Sequence, residues 1–180
     1  MSIRYTDEQM ALQGRLAAAN INPASFLATD YLNHYNEIVM LLEMVPDMPE
    51  LIEDCNDWSP KSYSQHFLDS GFAAKDLAVE AYRIAPDVIR SPFEKVCGDM
   101  DRLIIGTLDG LKKVGAVERG LTDAARAVIQ NRVDQVQTML MTLNQLIHGT
   151  VITPAAITPE TIVEEDETAQ TQADIDKLFD

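Results

Sequence analysis

Gln130 and Asp134 stand four residues apart in "AVIQNRVDQVQTML", a spacing that on a helix sets a carboxamide beside a carboxylate. Asn131, Gln135 and Gln137 lie nearby. A carboxamide close to a phosphoryl group can orient an attacking water, which makes Gln130 and Asp134 the weak candidates for catalysis. The plainer reading of the same residues is a solvated helix face. Elsewhere the chemistry-bearing residues are dispersed. His34, His66 and His148 are scattered and read as structural or exposed imidazoles, and no Glu-x-x-His pair offers di-iron ligand spacing. Cys55 and Cys97 stand alone with no CxxC pattern, which fits buried thiols in a reducing compartment. There is no Gly-rich phosphate loop, nucleophile elbow or zinc motif. No metal or cofactor of the chain's own is expected.

A different kind of site lies in the closing decapeptide "TQADIDKLFD". Thr171 can cap a helix with Asp174 at its third position, and Ile175, Leu178 and Phe179 then fall at i, i+3 and i+4 on one face. Asp176 and Asp180 face elsewhere. So short a helix is unstable alone in water, and it is expected to order only by laying its apolar face in a groove. Burying three such side chains gives roughly 5 to 8 kcal/mol, and ordering removes roughly 2 to 5 kcal/mol of it. The remainder corresponds to a weak, transient contact, micromolar at best.

These residues carry a resemblance. "TQADIDKLFD" is similar to the peptide with which flagellar motor switch proteins of the FliM type bind the chemotaxis response regulator CheY, and it resembles the C-terminal peptide of CheZ-type phosphatases. Gln172, Asp174, Ile175, Asp176, Leu178 and Phe179 are in register with that motif, which spans residues 171–180. The resemblance implies a CheY-like response regulator as partner and these six residues as the partner-binding ones. CheZ-type proteins are also laid out as a helical body with a long hairpin, a linker and a terminal peptide. That implies an alternative function, an aspartyl-phosphate phosphatase, with Mg2+ held by the partner regulator. The CheZ family carries an Asp and then a Gln four residues on; this chain has the reverse order, Gln130 then Asp134. "EDCN", with Glu53 and Asn56, matches the bare Glu-x-x-Asn core of the CheC and CheX phosphatases, while its flanking residues do not.

The elements that would position these groups read as helices throughout. Asn22 and Pro23 are expected to open one with Leu32, Tyr35, Val39 and Leu42 on its apolar side, ended by Pro46. Asp47 with Glu50 predicts a capped short helix, Ser59 with Pro60 a second that stops at Gly71, and "FAAKDLAVEAYRIAP" a third closed by Pro86. Trp58 reads as a packing anchor between these short pieces. Ser91, Pro92 and Glu94 predict the start of a long helix with Phe93, Val96, Met100, Ile104, Leu108 and Leu111 down one side and Gly115 as its stop. Thr122 is expected to cap the last helix, where Ile129, Val133, Val136, Leu140, Leu143 and Ile147 form a seam that repeats every seven residues. The short link "AVERG" predicts an antiparallel hairpin, and the seam offers a face for a homodimer, the basis of another alternative function, a structural helical oligomer with no catalytic role. Met40, Met44, Met139 and Met141 read as core filling.

The expected class is therefore all-α: a helical bundle domain over residues 1–149, an acidic linker over 150–170 and a partner-binding helix over 171–180. From residue 151 onward there are eight acids against Lys177 alone, the mark of a self-repelling, disordered segment. The chain of 180 residues is 46% hydrophobic, enough for one sizeable core, and its net charge of −15 argues against nucleic acid and anionic membrane as partners. The opening "MSIRYTDEQMALQ" has no apolar leader pattern and no run is long enough to span a bilayer, so a soluble, cytoplasmic protein is expected.

Overall fold

The computed structural model describes residues 2–151. Those residues form eight α-helices, α1 (Asp7–Leu16), α2 (Asn33–Met44), α3 (Ile52–Cys55), α4 (Tyr63–Asp69), α5 (Lys75–Arg83), α6 (Asp87–Lys113), α7 (Ala116–Arg119) and α8 (Asp123–Ile147), and contain no strand. Three short 3-10 turns, Ala17–Ala19, Thr29–Leu32 and Pro49–Leu51, complete the regular structure. The all-α class follows. No helix among the described residues is long and apolar enough to cross a membrane. The expected terminal helix at 171–180, and the linker from 152 onward, lie outside the described residues.

The described residues divide into two compact units, one of residues 2–36, 60–98 and 140–151, the other of 37–59 and 99–139. In the first, α1 opens with a capping box. Thr6 accepts from the Gln9 amide at 3.2 Å while Gln9 Oε1 accepts from the Thr6 amide at 2.8 Å. Gln9 Nε2 also donates to the Ile84 carbonyl at 2.8 Å, so one buried side chain starts α1 and ties it to the end of α5.

Asn22 does not begin a helix. Its Oδ1 accepts from the Ala24 and Ser25 amides at 2.8 and 3.3 Å, closing a turn, and Phe26 follows at φ 67°, a conformation no α-helix can contain. The helix starts ten residues later than Pro23, at Asn33. Phe26 is fully buried, so packing holds its unfavourable backbone in place. Ser25 Oγ donates to the Ile147 carbonyl, fastening the last turn of α8 to this turn. Gly149 then ends α8 at φ 84°, where a Cβ would sit 2.9 Å from the Ala24 Cβ. Gly149→Ala is expected to destabilise by more than about 1 kcal/mol, through backbone strain plus that contact. Urea denaturation would show it, and an unchanged midpoint would mean that the turn after α8 yields freely.

Two further helix starts shift for the same kind of reason. Ser62, not Ser59, caps α4, accepting from the Gln65 amide at 3.2 Å. The long helix α6 begins at Asp87, with Pro92 inside it. The apolar stripe runs back through buried Ile89, four residues before Phe93, and its burial outweighs the one backbone hydrogen bond that Pro92 forgoes.

In the second unit Asp47 does not cap; its carboxylate pairs with Arg126 at 3.5 Å, and the following turn is 3-10 with Met48 before it. Gly115 stops α6 as expected, in the left-handed conformation at φ 62°, and Thr122 caps α8 by accepting from the Ala125 amide at 3.1 Å. The link between them holds the single-turn helix α7 and a second positive-φ glycine, Gly120. Along α8 the seam residues Ile129, Val133, Val136, Leu143 and Ile147 are buried within the single chain; Leu140 is half-buried and Leu146 joins them.

Candidate functional site

On α8 the candidate pair is brought together. Gln130 Nε2 donates to Asp134 Oδ1 at 2.9 Å, and one residue further on Gln135 Nε2 donates to Asn131 Oδ1 at 3.1 Å. Gln137 donates to the Glu43 carboxylate of α2. Gln130, Asp134 and Gln137 are exposed and recur at steps of four and three, so they share one accessible face. With its amide N–H committed to Asp134, Gln130 keeps its carbonyl oxygen as an acceptor that can hold a water. Glu53 and Asn56 are exposed at the short α3, where the Asn56 amide serves as its C-terminal cap, donating to the Ile52 and Glu53 carbonyls at 3.1 Å.

A second gathering of titratable groups lies in the first unit, built from residues far apart in the sequence. The Thr29–Leu32 turn, α2, α4, α5 and α6 converge there. Tyr31 lies with its ring centroid 5.3 Å from Tyr63, 5.5 Å from His66 and 5.7 Å from Phe93; Tyr63 stacks on Tyr82 at 4.5 Å. Polar atoms in this cluster are taken up by backbone. The Ala28 amide donates to the Tyr63 hydroxyl at 2.8 Å, the Tyr31 hydroxyl donates to the Lys61 carbonyl at 2.8 Å, and the Lys61 amide donates to His34 Nε2 at 3.1 Å. Lys61 Nζ adds an ion pair with Asp69 at 3.2 Å, so one residue of the connecting segment is anchored at amide, carbonyl and side chain.

The electrostatics follow from that packing. Burial, then the nearby His66 and Lys61, brings the His34 imidazole down to about 4, and burial also lowers His66 against the pull of its hydrogen bond to the Asp30 backbone. Burial raises the Tyr63 phenol, and burial followed by the hydrogen bond to Glu94 raises Tyr82. Cys55 is pushed up to about 11 by burial and then by Asp54, which leaves it a thiol. His34 and His66 are thus neutral at pH 7, and the Tyr63 and Tyr82 phenols protonated. His34 Nε2, its lone pair held by the Lys61 amide, is a structural acceptor and not a base. His148 is exposed, beside a shallow depression of about 150 Å³ lined by Ala17, Asn20, Ile21, Asn22, Leu27, Thr29 and Ile147.

Among the described residues no three His, Cys, Asp or Glu side chains gather in a way that could hold a metal ion. The partner-binding residues Gln172, Asp174, Ile175, Asp176, Leu178 and Phe179 lie outside the described residues. The methionines depart from expectation: Met40 and Met141 are exposed at 57% and 61%, Met44 at 39%, and Met139 is half-buried. Their spacing on α2 was the available signal, but spacing does not say which face of a helix is covered. No protein-family model, curated protein or solved structure matches the chain.

Proposed function

We propose that this chain is a regulatory protein that binds a CheY-like response regulator through residues 171–180 and thereby tunes chemotaxis or motility signalling. The observation that carries this reading is the decapeptide itself: Ile175, Leu178 and Phe179 at helical spacing, interleaved with Asp174, Asp176 and Asp180. Apolar residues on one side supply contact area, and the acids set register and select a partner with basic groups beside its groove.

Titration of the full chain against such a regulator, with and without a phosphate mimic, tests it. Micromolar binding that strengthens with the mimic is expected. In an Ile175→Ala, Phe179→Ala double variant it is expected to weaken by about 30-fold or more, as loss of two buried side chains implies. Equal binding by the double variant would remove the reading.

A second reading rests on the exposed, hydrogen-bonded Gln130 and Asp134. In it the same complex speeds hydrolysis of the regulator's aspartyl phosphate, the Mg2+ being the regulator's own, and the tail raises effective concentration. Phosphate release that is lost in Gln130→Ala, with regulator binding intact, would support it.

A further inference from the structure

We propose that the exposed methionine stripe of α2 is a docking surface for a basic amphipathic helix of a partner protein, separate from the tail contact proposed above. Met40, Met44 and Met48 recur every four residues and are exposed at 57%, 39% and 44%. Met48 lies past the end of α2, but its amide still donates to the Met44 carbonyl at 2.9 Å, so one further i-to-i+4 turn follows the helix before the backbone leaves helical geometry at Met48 itself (φ −133°, ψ 74°). Exposed methionines at helical spacing make an adaptable apolar surface, because an unbranched thioether repacks around different partners.

The rim decides the occupant. Residues 37–59 contain seven Asp and Glu and no Lys, Arg or His. Glu37, Glu43, Asp47 and Glu50 are exposed beside the stripe. Among the described residues Asp47 alone of the seven is ion-paired, with Arg126, and Glu43 accepts from Gln137. The chain's own closing residues would bring acid to acid, since residues 151–180 carry eight acids against Lys177. A second copy docking the same stripe would do likewise. Like charges across an interface oppose association, whereas a helix with leucines on one face and lysines or arginines on its flanks meets both the apolar stripe and the acidic rim.

The test uses the full chain and a labelled 14-residue helix-forming Leu/Lys peptide, with a Leu/Glu peptide and a Lys-rich peptide lacking Leu as controls. Micromolar binding of the Leu/Lys peptide alone is expected, with amide shift changes centred on residues 37–50. In Met40→Gln, Met44→Gln the affinity is expected to fall about tenfold or more, the loss of apolar contact from two side chains, with the thermal midpoint unchanged because both positions are exposed. Three results would overturn the proposal. Binding indifferent to the methionine changes would show a diffuse acidic attraction only. A doubled mass in sedimentation that the variant abolishes would assign the stripe to a second copy. Peptide binding that strengthens in Ile175→Ala, Phe179→Ala would assign it to the chain's own tail. None of these outcomes depends on whether the response regulator binds.

Discussion

Phe93→Ala is expected to lower stability by about 3 to 5 kcal/mol, the cost of emptying a large aromatic site in a packed core. Phe93 is buried on α6 with ring centroids 5.7 Å from Tyr31, 6.0 Å from Tyr63 and 6.4 Å from Tyr82, the last two in edge-to-face arrangement. It therefore joins the Thr29–Leu32 turn, α4 and α5, and its neighbours cannot easily collapse into the gap. Their hydroxyls hold them in place, Tyr31 through the Lys61 carbonyl, Tyr63 through the Ala28 amide and Tyr82 through Glu94 at 2.8 Å. Against a total of roughly 5 to 15 kcal/mol for a typical protein, such a loss would bring the first unit close to unfolding. Urea denaturation followed by far-UV circular dichroism measures it. A change under about 1 kcal/mol would mean that the cluster is loosely packed.

Acidification is the second large effect. His34 titrates near 6.5 in an unfolded chain and at about 4 in the fold, because burial and then the neighbouring His66 and Lys61 disfavour its cation. Between those values the unfolded state binds the more protons, so stability rises with pH and is lost as pH falls from about 6.5 toward 4. A difference of that size corresponds to about 3 kcal/mol over the whole window. His66, lowered chiefly by burial, acts in the same direction. Protonation also places a second proton at Nε2, opposite the Lys61 amide that now donates to it at 3.1 Å. In His34→Gln the amide oxygen can still accept from Lys61 but does not titrate; stability at pH 7 is expected to fall by about 1 kcal/mol while the acid-side slope flattens. Unfolding midpoints at pH 7 and 4.5 for both proteins check this. A His34 ring resonance titrating near 6.5 would sink it.

Helix ends were legible where one residue decides the matter. Gly115 stops α6 and Thr122 starts α8, because a left-handed glycine or a hydroxyl cap needs only local backbone to act. Helix starts were less legible where several capping residues compete. Asn22, Asp47, Ser59 and Ser91 each have cap chemistry, but a turn, an ion pair, the cap at Ser62 and an apolar stripe reaching back to Ile89 claimed those stretches instead. Thr6 and Gln9 form a complete capping box, in a segment whose apolar periodicity is weak. The pairing of Gln130 with Asp134 followed directly from spacing, since a helix makes neighbours of residues four apart.

Periodicity and punctuation, both local, thus determined the helical class, the buried seam of α8 and the facing of its polar pair. What only the tertiary structure decided involves residues distant in sequence. Tyr31, Tyr63, Tyr82 and Phe93 come from four segments, and beside them burial, His66 and Lys61 bring His34 to its low basicity while Tyr31, His34 and Asp69 anchor Lys61. The methionines of α2 mark the same limit from the other side. A stripe at helical spacing reads identically whether another element covers it or not, and burial depends on what packs there, which no window of neighbouring residues contains.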